Sequence, residues 1–237
     1  MKITQALLDT VFTGYKAAFL SAFSGVEPMW RRVAMEVPST TAQETYGWLG
    51  EMPRIREWIG DRVVHELGTS SYTIRNRDFE GTFRLKRNAV EDDTFGLLTP
   101  AASELGRAAA TFPDELIFEE ALAGGWSSNC FDGQFFFDSD HPVLDAAGKP
   151  KPVSNRQAGD GPGWYLLDAT RAGKPLVFQN RRKFDFVNQT DPRNSDHVFM
   201  SGGFVYGADG RCNAGYGFWQ LAFGSKATLN SESFRAA

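Results

Sequence analysis

The sequence is poor in cysteine, in histidine and in long uncharged hydrophobic runs. Among 237 residues it has two cysteines, Cys130 and Cys212, and three histidines. The cysteines form neither a C-x-x-C pair nor the framework of a disulfide-stapled secreted domain, so we expect free thiols in a reducing compartment. No apolar stretch approaches the roughly 20 residues of a membrane-spanning helix, and no signal-peptide pattern is found. We therefore predict neither secretion nor a membrane partner.

A concentrated basic surface is also missing. Lys and Arg total 25 against 29 Asp and Glu, which gives a formal net charge of −4. The densest basic clusters are the short runs 84–87 and 181–183. Proteins that bind nucleic acid tightly normally carry a basic face. This charge balance argues against a strong, sequence-specific nucleic-acid binder.

Aromatic residues, by contrast, are abundant. The chain has 20 Phe and is 42% hydrophobic, which is enough to bury a core and is unlike a disordered chain. Residues 4–23 repeat apolar side chains at three- and four-residue steps and end before Gly25 and Pro28. This pattern predicts an amphipathic helix.

A second helical stretch covers residues 101–123 and is followed by a turn. The stretch is either one long kinked helix or two helices in series, with Pro113 at the break and Asp114 as the N-cap of the second. Farther along, Asp132 and Gly133 interrupt an aromatic run at 131–135. An Asp-Gly pair between such residues predicts a tight hairpin turn.

Charged residues are denser between residues 51 and 93 than elsewhere, and both signs occur in nearly equal number. Within 79–86, apolar and polar residues alternate as in a strand with one buried face. The segment is too polar to build a core alone, so we expect an extended β arm. Such mixed charges can set register and partner choice between subunits. The alternative is a solvated hairpin, whose exposed ion pairs contribute less than about 1 kcal/mol each.

One cluster contains residue types that could bind a metal ion or act in catalysis. Asp138, Asp140 and His141 place two carboxylates and an imidazole within four residues. A zinc site needs three or four converging ligands, and these residues followed by Pro142 also suit a polar turn. No G-x-S-x-G elbow or metalloprotease pattern is present. We favour the turn and predict no catalytic, cofactor or metal site, with a metal-dependent hydrolase centred on these three residues as the alternative.

An ordered series of short motifs runs through most of the chain. It comprises YGWLG at 46–50, PRIREW at 53–58, RVV at 62–64, YTIRN at 72–76, FEGT at 79–82, EDD at 91–93, FDGQ at 131–134, DSDHP at 138–142, SN at 154–155, LLD at 166–168, KPL at 174–176 and GFWQLA at 217–222. Each motif is weak by itself, whereas their order is specific. The series resembles the Mu-like phage (prophage) major head subunit, a major capsid protein.

The resemblance implies an α+β chain with a Hong Kong 97-like capsid fold. That fold has an N-terminal arm, an extended β-hairpin loop, a peripheral domain with a spine helix, and an axial domain. The implied parts are residues 1–50 for the arm, 51–93 for the charged extended loop, 94–128 for the spine helices, and 129–237 for the axial domain with part of the peripheral domain. Because the family is longer, we expect the last part to be truncated at its C-terminus.

The resemblance also implies a function. The chain would be a major capsid subunit that self-assembles into the icosahedral shell around phage DNA, and not an enzyme. Its partners would be other copies in pentamers and hexamers, a scaffold or protease, and a portal protein, with only non-specific proximity to DNA. It would be made in the bacterial cytoplasm and reside in the phage head. The alternative within the same class is another virion protein that forms tails or rings.

Contacts between subunits are expected mainly in the charged segment. The candidates are Trp48, Arg54, Arg56, Glu57, Trp58, Arg75, Arg84, Lys86 and Arg87. Removal of residues 1–25, or charge reversal at the last three candidates, is expected to block assembly while secondary structure stays intact.

Overall fold

The chain contains both helices and strands. The computed structural model describes residues 4–47, 72–92, 99–145, 149–191 and 195–237. Its α-helices are α1 (Gln5–Ser24), α2 (Trp30–Val33), α3 (Arg87–Asp92), α4 (Thr99–Asp114), α5 (Asp196–Ser201) and α6 (Ser231–Arg235). No helix within these ranges is both long and apolar enough to span a membrane.

The strands form one four-stranded sheet and three smaller ones. They are β1 (Ala34–Pro38), β2 (Gln43–Tyr46), β3 (Tyr72–Arg75), β4 (Arg77–Lys86), β5 (His141–Leu144), β6 (Pro150–Val153), β7 (Arg156–Gln157), β8 (Trp164–Leu167), β9 (Leu176–Gln189), β10 (Gly203–Tyr216) and β11 (Ala222–Ser225). The four-stranded sheet has the order β1-β9-β10-β4. The smaller sheets are β7-β11-β8, β2-β3 and β5-β6.

The chain divides into two compact units. Unit 1 contains residues 1–28, 76–115 and 180–212, and unit 2 contains residues 29–75, 116–179 and 213–237. Strands β9 and β10 contribute residues to both units. Each unit is assembled from three separated stretches of the chain, and the four contiguous parts expected from the sequence stay a prediction.

Unit 1 is built around α1, which confirms the predicted amphipathic helix. Thr4 caps its first turn by accepting a hydrogen bond from the Leu7 N–H, and Gly25 ends it. The core of the unit joins residues of α1, α4, β9 and β10: Leu8, Tyr15, Phe19, Ala102, Ala109, Phe186, Phe204, Tyr206 and Ala208. The helix expected to belong to an arm is therefore part of a core, because its apolar stripe is covered within the same unit.

Of the two alternatives considered for residues 101–123, the structure has the single long helix, with Pro113 inside it, and not two helices in series. Helix α4 passes through Pro113, which is buried inside it, and continues as a π-helical stretch at Glu115–Leu122. Proline lacks the N–H that an α-helical turn requires, and a π-turn accommodates such a break. Asp114 therefore lies inside the helix, and the expectation that it caps a second helix was wrong.

In unit 2, a buried hydrogen-bond chain joins three strands. Tyr46 of β2, Ile74 of β3 and Val177 of β9 share an apolar cluster. The Tyr46 hydroxyl donates to Gln179 Oε1 at 2.7 Å. The Gln179 side-chain N–H in turn donates to the Ile74 carbonyl oxygen at 3.1 Å. The buried amide of Gln179 is thereby satisfied on both sides, as buried polar groups require.

The tight turn predicted at residues 131–135 is confirmed. The Gly133 N–H donates to the Cys130 carbonyl at 3.2 Å, and the Cys130 N–H donates to the Gln134 carbonyl at 2.8 Å. Gly133 has a φ of +86°, in the left-handed region where a side chain is disfavoured. This turn carries Asp132 into the interior of unit 2.

Candidate functional site

Among the described residues, β4 is the longest strand of the charged segment 51–93. Its outer face carries the charges that the sequence pattern predicted. β4 pairs antiparallel with β10 over ten residues, from Arg77 opposite Cys212 to Lys86 opposite Gly203. Its residues alternate in burial as the sequence pattern predicts. On the core side, Phe83 stacks on Tyr206 with ring centroids 5.6 Å apart. This packing holds the strand so that its other side chains face outward.

Charges on that outer face are separated by sign. Asp78 and Glu80 lie at one end of β4, followed by Thr82, then Arg84 and Lys86, and all five are exposed. Asp78 lies 3.5 Å from the Arg211 guanidinium, and Glu80 accepts a hydrogen bond from the Thr82 hydroxyl. Within the described part of the chain, neither Arg84 nor Lys86 forms an ion pair. Two cations on this face are thus available to a partner.

The other predicted contact residues have different surroundings. Arg87 begins α3 and forms an ion pair with Glu91 at 3.0 Å. Arg75 is exposed at the end of β3, where its carbonyl accepts a hydrogen bond from Asn213 at 2.7 Å. The remaining candidates, Trp48, Arg54, Arg56, Glu57 and Trp58, lie outside the described residues.

The alternative site proposed around His141 has a different composition from the one expected. His141 is fully buried and its Nδ1 lies 2.7 Å from Asp132 Oδ2. Its Nε2 lies 3.2 Å from Asn155 Oδ1, and its ring stacks on Trp219 with centroids 3.8 Å apart. Each nitrogen therefore has a hydrogen-bond partner and both are shielded from solvent.

The carboxylates of Asp138 and Asp140, the expected partners of His141, do not hydrogen-bond to its ring, whose partners are Asp132 and Asn155. The Asp138 carboxylate accepts hydrogen bonds from the N–H groups of Phe135 and Ser139, which is the polar turn favoured from the sequence. Burial disfavours its charge, but these hydrogen bonds, together with the neighbouring Asp140 and His141, outweigh that cost, so the pKa of Asp138 lies below its ordinary value. Asp140 is exposed. The hypothesis of a metal-dependent hydrolase centred on Asp138, Asp140 and His141 is therefore wrong, because the three side chains do not converge on one site.

Cys130, Asp132 and His141 instead bring three ligand-type atoms within 4.8 Å of one another. Their spacing is that of hydrogen bonds, with Cys130 Sγ 3.0 Å from Asp132 Oδ1 and the imidazole 2.7 Å from the other carboxylate oxygen. Ligands around a tetrahedral zinc ion, at about 2.0–2.3 Å from the metal, would stand roughly 3.3 Å or more apart. The cluster is a hydrogen-bonded brace for the 128–141 loop.

The pKa directions in this cluster agree with a structural role. Burial raises the pKa of the Cys130 thiol far above its usual range, and the neighbouring Asp132 carboxylate adds to the effect. A reactive cysteine needs a lowered pKa and access to solvent. For Asp132, burial opposes the charge, but hydrogen bonds from His141, Cys130 and the Gln134 N–H outweigh it and lower the pKa. Only the Asp-Gly turn signal in the sequence could have indicated that Asp132 folds back toward His141.

Comparisons with known proteins identify the family of the chain. The family model of the Mu-like prophage major head subunit gpT matches residues 8–237. The chain belongs to this major head subunit family. The major capsid protein of Escherichia phage Mu is 41% identical over 239 aligned residues, which cover 98% of this chain and 78% of that protein. The FluMu major head subunit of Haemophilus influenzae (strain ATCC 51907 / DSM 11121 / KW20 / Rd) is 39% identical, with 98% and 77% covered.

Solved structures place the head subunit in the Hong Kong 97-like capsid fold, as predicted. A chain of the bacteriophage JBD30 procapsid matches with a TM-score of 0.85 and 43% identity, over 99% of this chain and 79% of that one. A chain of the JBD30 capsid matches with a TM-score of 0.73 and 30% identity, over 100% and 79%. A virus-like particle from Pyrococcus furiosus, 10% identical with a TM-score of 0.51 over 90% of this chain and 98% of that one, shares the fold alone.

The family also decides between the functions considered from the sequence. The chain is a major head subunit, a structural component of the phage head and not an enzyme. The predicted family, α+β capsid fold and head function are confirmed, and the hydrolase alternative is set aside. The tail-protein and ring-protein alternatives do not match this family either.

Proposed function

We propose that copies of this chain assemble as pentamers and hexamers into a closed icosahedral shell that encloses phage DNA. The observation that supports this most is the likeness to the JBD30 procapsid chain across 99% of the sequence. A shell subunit repeats one set of contacts around closed rings. Individual contacts can be weak because many act together. The net charge of −4 suits a container that does not adhere to the DNA inside.

The charged segment supplies the subunit contacts in this proposal. The proposed contact residues in this segment are Arg54, Arg56, Glu57, Trp58, Arg75, Arg84, Lys86 and Arg87, and Trp48 just before the segment is proposed with them. Exposed charge pairs contribute little affinity, commonly less than about 1 kcal/mol each, but they select register and partner. The free cations of β4 fit this role, since a partner's carboxylates could approach them without breaking an existing ion pair.

Further partners and parts are proposed from the family. The proposed partners are a scaffold or protease and a portal protein. Residues 1–50, 51–93, 94–128 and 129–237 would act as arm, extended loop, spine and axial parts. The buried face of α1 belongs to the core of unit 1. Contacts between the proposed arm and a neighbouring subunit would therefore be made by residues of 1–50 outside that helix.

Assembly and its contacts can be tested together. The chain is co-expressed with the scaffold encoded beside it, and the product is examined by negative-stain electron microscopy and sedimentation. We expect shells from the wild type and fewer shells from Arg54→Glu/Arg56→Glu, with circular dichroism unchanged. The matched control is Lys183→Glu, a reversal at an exposed residue of β9 that is not a proposed contact.

The outcomes separate the two claims. Monomers alone from the wild type, with the scaffold present, would contradict shell assembly. Normal shells from the Arg54→Glu/Arg56→Glu variant would remove these arginines from the contact set and leave shell assembly standing.

A further inference from the structure

Strand β4 ends its sheet. It pairs with β10 on one side, and among the residues that the structure describes no strand pairs with its other side. An edge strand of ten residues presents a row of backbone N–H and C=O groups that can accept another strand. Natural edges are commonly short, covered or interrupted by proline, and β4 (RDFEGTFRLK) contains no proline. A strand from another molecule could therefore extend this sheet.

The order of charges on β4 is antisymmetric about Thr82. Two residues before it stands Glu80, and two residues after it stands Arg84. Four residues before it stands Asp78, and four residues after it stands Lys86. All five side chains point to the same face, because residues two apart in a strand share a face. A two-fold rotation through Thr82 thus exchanges acidic positions with basic ones.

We propose that β4 pairs antiparallel with β4 of a second copy, around a two-fold axis at Thr82. Glu80 then lies opposite Arg84 of the second copy, and Asp78 lies opposite Lys86 of the second copy. Symmetry repeats both pairs, so four opposite-charge pairs form in one isologous contact. The proposal rests on the assembly function above and names the partner of the β4 cations.

The side of β4 that faces the core is compatible with the same register. Phe79 would lie opposite Leu85 of the second copy, and Gly81 opposite Phe83, which brings apolar side chains together. One like-charge pair occurs at each end, between Arg77 and Arg87. Arg77 lies over the Phe79 ring at 4.9 Å, and Arg87 is ion-paired with Glu91. These ends weaken the contact slightly without changing its register.

Two simpler explanations account for less of the pattern. Charges on an edge strand can serve only to prevent aggregation, but that purpose requires no order of sign along the strand. A parallel pairing in the same register would place like charges opposite one another, which is destabilising. The antiparallel two-fold pairing alone makes use of the separation of acidic and basic ends.

Charge exchange in the full chain tests the pairing. The basic-end variant is Arg84→Glu/Lys86→Glu, the acidic-end variant is Asp78→Lys/Glu80→Lys, and the fourfold variant combines them. Because several opposing pairs become repulsive at once, we expect each end variant alone to lower the yield of assembled particles about tenfold. Mixing the two end variants, or using the fourfold variant, restores the yield.

Two further tests, a smaller charge exchange and a cysteine cross-link, separate a lost pairing from a folding defect. Asp78→Lys also removes the contact with Arg211, so Glu80→Lys and Arg84→Glu are tested as a smaller pair with the same logic. Thr82→Cys places a thiol on the proposed axis, where we expect a cross-linked dimer with a short bismaleimide. Lys183→Cys is the matched control and gives none. The natural cysteines are both buried and contribute little background.

The results discriminate between the proposals. If the wild type assembles but the fourfold variant is worse than either end variant, mixing gives no rescue and Thr82→Cys gives no dimer, the two-fold pairing is overturned while shell assembly stands. If the wild type itself fails to assemble with its scaffold, the assembly function fails instead.

Discussion

His141 shows how one buried residue organises a loop. Its two ring nitrogens contact Asp132 and Asn155, and its ring covers Trp219. Asn155 extends the network by donating to the Phe136 carbonyl at 2.7 Å and accepting from the Asp138 N–H at 2.8 Å. The side chains of one turn and one loop thereby satisfy backbone groups that would otherwise be buried and unpaired.

We expect His141→Ala to destabilise unit 2 by about 3 kcal/mol. The substitution leaves the Asp132 carboxylate without its main partner in a buried position, and removing one partner of a buried pair is costly. Asp140→Ala, one residue away but exposed, should change stability by less than about 0.5 kcal/mol. Urea unfolding followed by tryptophan fluorescence measures both variants. Equal effects at the two positions would contradict the brace described for this loop.

At the scale of elements, the close packing of α1 on α4 depends on Gly106. A Cβ atom at this position would lie 2.3 Å from the Phe19 carbonyl oxygen, so a larger residue would push the helices apart. Gly14, on α1 itself, has no atom within 4 Å of the corresponding position. The two glycines therefore have opposite consequences for stability, although both lie inside helices.

Alanine at these two positions gives a matched comparison. Gly14→Ala should stabilise unit 1 by up to about 1 kcal/mol, since alanine is the better helix former. Gly106→Ala should destabilise it by about 2 kcal/mol or more, because the clash is with backbone and outweighs the same helix gain. Thermal unfolding monitored at 222 nm by circular dichroism, a wavelength that reports helix, measures both. Stabilisation by both substitutions would show that the helices do not approach this closely.

At the scale of the whole molecule, the first helix is needed for the core of unit 1. From the sequence, removal of residues 1–25 was expected to leave secondary structure intact. Instead Leu8, Tyr15 and Phe19 are each at most 5% exposed and belong to the core of unit 1. The apolar stripe of α1 predicted a buried face but not the surface that covers it.

Deletion of residues 1–25 should therefore unfold unit 1 and not merely prevent assembly. The deletion exposes Phe186 and Tyr206. Their ring centroids lie 5.2–5.8 Å from those of aromatic side chains of α1. Circular dichroism should lose more helix than α1 alone contributes, and cooperative unfolding of the unit should disappear. Leu20→Ala, at a residue 46% exposed on the same helix, is the control. A deleted chain that keeps its other secondary structure but fails to assemble would restore the interpretation of a free arm.

Much of the local structure was predictable from residues close together in sequence. The apolar period of α1, the alternation in β4 and the Asp-Gly turn are local signals, and each describes the element that formed. The ordered series of motifs indicated the family, because many weak matches in a fixed order are specific together. The course of the helix through Pro113 was not predictable, since proline alone does not say whether a helix stops or continues as a π-turn.

The sequence by itself determined the family, the fold class and the residues on each face of β4. Tertiary structure decided which faces meet. It brought Asp132, and not Asp138 or Asp140, to His141, and it left β4 at the edge of its sheet with Arg84 and Lys86 free of ion pairs in the described chain. The physical reason is the sequence distance over which each interaction acts. Periodicity within an element indicates which side of it is buried, whereas the residues that cover that side come from distant parts of the sequence.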